Sequence, residues 1–170
     1  MSLLEAALLL CLVGIALAIF VPTFARRVRA NKINEAPELL RDLSARAAAY
    51  YATSWDSGRR HCLPPGAGPT PAEPSVEAES VDFFSDEVEG HQTWQALGFQ
   101  PDRPIRYSYT YAPSEHGCDL IGREDRGTVS FRAEGDLDGD GVRSTFERRA
   151  RLRPDGWDQA DVLHVHQRVE

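Results

Sequence analysis

Between Ala6 and Val21 the chain carries no polar side chain. The longer apolar stretch it belongs to, residues 1–24, holds a single acid, Glu5, with Pro22 near its end. A helix over residues 3–24 would be about 30 Å long, one hydrocarbon thickness, so the run predicts a membrane span. A carboxylate inside such a helix costs roughly 2.5 to 3.5 kcal/mol at the bilayer centre and less near an interface. Glu5 is therefore expected to have a partner or a functional reason, the alternative being an interfacial acid on an ordinary anchor. No basic stretch precedes the run, and the one small-x-small site, Ala16-Leu17-Ala18, is followed by further apolar residues. This is a poor secretory signal peptide, and the segment is expected to stay in the mature chain.

Ser2-Leu3-Leu4-Glu5, Gly14, Ala18-Ile19, Pro22 and Phe24 follow one another in a particular order and spacing. In this the N-terminus resembles the mature N-terminus of type IV pilins and of the type II secretion pseudopilins. The resemblance covers roughly the first 30 residues and is architectural beyond them. It implies a prepilin peptidase that cuts after a glycine just upstream and methylates the new terminal amine, here that of Met1. Members usually carry phenylalanine at that position.

The chemistry of these residues agrees with the assembly that the resemblance implies. An α-amino group is largely cationic near pH 7, and a helix N-terminus adds about half a unit of positive charge. Glu5 of one subunit can neutralise the Met1 amine of a neighbour, and the pair is far less costly to bury than either charge alone. Such a pair would set axial register in a filament core. Gly14 and Pro22 bracket a stretch of weak helix, because proline lacks a donor and clashes with the carbonyl of Ala18. An interruption there lets the segment bend or lengthen during packing. The competing readings are close helix packing for Gly14 and a simple kink for Pro22.

The remainder of the 170 residues leaves room for one modest domain of about 115 residues. A net charge of −7 argues against general nucleic-acid binding. Arg26, Arg27, Arg29 and Lys32 follow the apolar run and, taken alone, favour a cytoplasmic C-terminal side. The cysteines point to an oxidising compartment instead.

Leu39, Leu40, Leu43, Ala47 and Tyr50 recur at helical intervals. They predict an amphipathic continuation with its apolar face on a sheet, giving one long helix over 3–53 with an irregularity near residues 35–37, where Pro37 stands. Residues 63–80 are rich in Pro, Gly, Ala and Ser, and predict a surface loop that supplies no core. A short helix is expected within 85–97, ended by Gly98. Strands are expected over 105–112, 128–133, 145–152 and 162–169. The predicted fold is α+β: a long N-terminal helix over 1–53, a surface region over 54–104, and a roughly four-stranded antiparallel sheet over 105–170.

Cys11 lies in the apolar run, whereas Cys62 and Cys118 belong to the polar domain, where they are expected to form a disulfide. The alternative is zinc, held by His61, Cys62, His116 and Cys118, although their spacing is unlike common zinc motifs.

Residues 136–147 read DLDGDGVRSTFE. Asp136, Asp138 and Asp140, Gly141, the Val142 carbonyl, Ser144 and Glu147 match the EF-hand calcium-loop pattern of hard oxygen ligands around a sharp turn. The residues before it read as a strand rather than an entering helix. The expectation is a calcium-clamped turn between strands, set against a solvated acidic turn in which Asp and Gly serve only turn geometry. His164 and His166 share one strand face with Arg168 and have no third ligand nearby, so they read as surface residues. No nucleophile with a base and no phosphate loop is recognisable, and no catalytic role is expected.

The resulting expectation is a structural subunit of a type IV pilus-like filament, a homo-oligomer built with other pilin subunits, with a calcium-stabilised head. Major pilin, minor pilin and secretion pseudopilin all fit. The resemblance implies an assembly platform, an assembly ATPase and a prepilin peptidase as partners. It also implies residence in the bacterial inner membrane before assembly, then in an extracellular filament or periplasmic pseudopilus. The alternative of a different class is a monomeric membrane-anchored, calcium-dependent binding domain.

Overall fold

The structure, a computed structural model, describes residues 3–53, 61–118, 127–153, 156–159 and 163–166. Within these, the described side chains exclude those of 3–9, 22–32, 156 and 159. The chain forms two compact units, Met1–Asn34 and Glu35–Glu170.

The expected architecture of a long pilin-type helix on a four-stranded sheet is corrected. Helix α1 runs over Leu3–Ala52, but only its part from Glu35 onward belongs to the unit that holds the sheet. The expected irregularity near residues 35–37 is not seen: α1 stays helical through Pro37. Among the described residues no helix is long and apolar enough to cross a membrane. The expected span over 3–24 runs beyond the described side chains.

The second unit holds a sheet of six strands rather than four. These are β1 (Ala67–Thr70), β2 (Ser108–Pro113), β3 (Thr128–Gly135), β4 (Ser144–Arg153), β5 (Gly156–Gln159) and β6 (His164–His166), with α2 (His91–Leu97) between β1 and β2. Every pairing is antiparallel, in the order β1-β2-β3-β4-β5, and β6 pairs with β4. One edge of β4 is shared: β6 meets Thr145–Glu147 and β5 meets Ala150–Arg153.

Alternation along the strands separates a core face from an outer face. Tyr107, Tyr109 and Tyr111, Val129, Phe131 and Ala133, and Phe146, Ala150 and Leu152 are buried. Gly135 leaves room for the Tyr107 ring, which a Cβ there would meet at 2.5 Å. From the helix of this unit, Ala36, Leu39, Leu40, Leu43 and Ala47 are buried at helical spacing. The stripe ends on Tyr51 rather than Tyr50, because the next buried position after Ala47 lies four residues on.

Residues 63–80 do supply core, against expectation. Leu63, Ala67 and Thr70 are buried, and β1 forms the sheet edge beside β2. Proline is tolerated there because an edge strand need not donate on both sides. Gly68 is required where it stands: its φ is +94°, and a Cβ would meet the Tyr109 carbonyl at 2.2 Å. Beneath β1, Phe83, Trp94 and Phe99 pack with ring centroids 5.4 to 5.7 Å apart. The Trp94 indole N–H donates to Thr70 Oγ1 at 3.1 Å, so the buried polar handle is satisfied.

Candidate functional site

The acidic loop joins β3 to β4. Gly139 and Gly141 take φ of +76° and +84°, which glycine adopts without steric cost, and fold the loop back on itself. Asp136 accepts the N–H of Gly139 at 2.8 Å and that of Gly141 at 3.0 Å, and Asp140 accepts the N–H of Val142 at 2.7 Å. These bonds aim three carboxylates at one another. Asp136, Asp138 and Asp140 each offer an oxygen, and these oxygens all lie within 4.8 Å of one another.

Two other members of the expected ligand set, Ser144 and Glu147, are turned elsewhere. Ser144 is buried, and its hydroxyl donates to the Gly135 carbonyl at 3.1 Å. Glu147 lies on the outer face of β4, where both of its oxygens accept from the Arg149 guanidinium at 2.9 and 3.1 Å. Those bonds hold the Glu147 carboxyl below its ordinary range, against the upward push of burial. The Val142 side chain is exposed. The donor chemistry fits a hard cation through three aspartates, with water completing the shell, rather than through a closed six-ligand cage. Such an ion would neutralise the three carboxylates and fix the turn between β3 and β4.

Cys62 and Cys118 are bonded to each other. This removes both thiolates from the alternative zinc set of His61, Cys62, His116 and Cys118. Leu63 and Gly117 continue the link by exchanging two backbone hydrogen bonds of 2.8 Å. Cys11 is an exposed free cysteine.

Met1 and the side chains of Glu5 and Pro22 lie outside the described residues. Gly14 is described, and a Cβ there would meet nothing within 4 Å. Every described side chain over 10–21 is exposed. Leu10, Leu12, Val13, Ile15, Leu17, Ile19, Phe20 and Val21 are each between 52% and 73% accessible. Contiguous exposed apolar side chains of this kind are a feature by which interaction surfaces are recognised.

No family model, curated protein or solved structure matches the chain.

Two features escaped the sequence reading. Glu35, 5% exposed, accepts the backbone N–H groups of Arg106 at 2.7 Å and Tyr107 at 3.3 Å, and the Tyr109 hydroxyl at 3.3 Å. Burial, then the Glu35 charge, raises the Tyr109 phenol far above its ordinary value. The other is a group of arginines, Arg132, Arg149 and Arg151, on the outer face of β3 and β4. The alternation of Arg149, Arg151 and Arg153 with Ala150 and Leu152 was the signal that could have revealed it.

Proposed function

We propose that this chain is a structural subunit of a type IV pilus-like extracellular filament. Its apolar N-terminal segment is covered by the same segment of other copies, and the sheet unit stands as the head. The single observation that carries the reading is the exposure of the apolar side chains over residues 10–21. Burying one large aliphatic or aromatic side chain is worth about 1.5–3 kcal/mol, so a row of them gives a large drive to associate. The resemblance of the first residues to pilins and pseudopilins supports the same reading and suggests that Glu5 pairs with a neighbour's terminal amine. A minor pilin or a secretion pseudopilin would use the segment in the same way.

On this reading the protein resides in the inner membrane before assembly. A prepilin peptidase processes and methylates its N-terminus, and an assembly platform and ATPase add it to the filament. Calcium at Asp136, Asp138 and Asp140 would stiffen the head's β3–β4 turn.

The test is electron microscopy of sheared surface material from cells making the chain or its Glu5→Ala variant, with mass spectrometry of the N-terminus. Filaments containing this protein with a methylated terminal residue, lost on Glu5→Ala while the head still folds, are expected. Unmethylated membrane-bound monomers indifferent to Glu5 would overturn the proposal in favour of an anchored binding domain.

A further inference from the structure

The outer face of the sheet opposes in sign the chain that carries it. The net charge is −7, yet Arg132, Arg149 and Arg151 line a shallow groove of about 530 Å³ in which, among the described residues, Glu147 is the one carboxylate, beside His164. Arg149 occupies both oxygens of Glu147. Arg132 comes within 3.6 Å of Glu134 at the rim. The Arg151 guanidinium has no ion pair or hydrogen bond among the described residues. Among the described residues β6 pairs with Thr145–Glu147 and β5 with Ala150–Arg153.

The surface that complements this groove is on the same chain. Residues 77–89 contain Glu77, Glu79, Asp82, Asp86, Glu87 and Glu89, all exposed, with no lysine or arginine among them. The tract is fastened at the far end of the sheet, where Glu79 and Ile105 exchange backbone hydrogen bonds of 2.8 and 2.9 Å just before β2. Its acids make no ion pair with a groove arginine among the described residues, and Asp86 meets only His91, at 3.4 Å.

We infer that the arginine groove of one head receives the 77–89 acidic tract of a second copy of this chain. Single exposed ion pairs contribute little, so the contact depends on several charges meeting at once. Groove and tract are different surfaces, so the contact is heterologous: each copy keeps one free surface of each kind, and addition continues in a line. The inference deepens the filament proposal by naming the contact between heads, and is tested apart from Glu5.

The experiment is sedimentation velocity of the full-length chain in detergent at low and high salt. Arg132→Glu/Arg151→Glu and, separately, Glu87→Arg/Glu89→Arg are each expected to weaken the low-salt association about tenfold or more. Both pairs combined in one chain reverse both surfaces and are expected to restore it, which misfolding could not do. Wild-type association by the groove variant, or failure of the combined chain to recover, would each overturn the inference.

Discussion

Glu147 and Arg149, two residues apart on the outer face of β4, meet through two hydrogen bonds of 2.9 and 3.1 Å. The pair turns the last acid of a calcium-loop pattern away from the three aspartates that begin it. Glu147 is 7% exposed, and Arg149 holds its folded carboxyl below the ordinary value. The stabilisation is therefore complete above the unfolded carboxyl's value, near pH 4.3, and is lost as pH falls through the lower folded value. Glu147→Gln is expected to flatten the acid limb of a urea-midpoint against pH curve, and an unchanged limb would refute the pairing.

The same geometry separates the ligands of the acidic loop. Asp138→Asn is expected to weaken terbium binding about tenfold, because one of three converging charges is removed. Glu147→Gln and Ser144→Ala should leave it within about twofold, since neither side chain is turned to the cluster. A loss on Glu147→Gln as large as that on Asp138→Asn, read by terbium luminescence, would mean that Glu147 swings off Arg149 to ligate.

Glu35 should matter more to stability than its surroundings in the sequence suggest. Its carboxylate satisfies two backbone donors and a buried phenol. Glu35→Ala orphans all three, at a cost of about 2–4 kcal/mol in chemical denaturation. Glu35→Gln keeps an acceptor and should cost about half as much. Equal losses would point to charge rather than hydrogen bonding as the source.

The Cys62 and Cys118 bridge closes a loop with a sequence separation of 56. In the chain-entropy account a loop of that length stabilises by up to about 4 kcal/mol. The Cys62→Ala/Cys118→Ala chain is expected to unfold at lower urea with that upper bound. The Cys11→Ala chain should match the wild type, since Cys11 is exposed and unbonded.

Much of the sheet unit is legible in alternation alone. Tyr107, Tyr109 and Tyr111 announce the buried face around β2, and the patterns ending in Ala133 and Leu152 place β3 and β4. Gly98 ends α2 with φ +63°, as expected. Two strands were hidden for different reasons. Residues 67–70 look like loop because glycine and proline weigh against a strand, yet Tyr109 and Tyr111 supply the partner edge. β5 is a four-residue return held by pairing to Ala150–Arg153, which no local pattern encodes. At the site, the spacing of carboxylates indicated which oxygens were available. It could not tell that strand alternation would carry Glu147 to one face and Ser144 to the other.

The proline in β1 bears on how densely such heads can be crowded. A sheet edge with free N–H groups invites a stranger's strand, and close packing would turn that invitation into fusion of neighbouring sheets. Pro69 has no N–H to offer, and β1 is only four residues long. The strand at this edge is thus a poor template, and on the filament proposal it would keep neighbouring copies from knitting into cross-β aggregates.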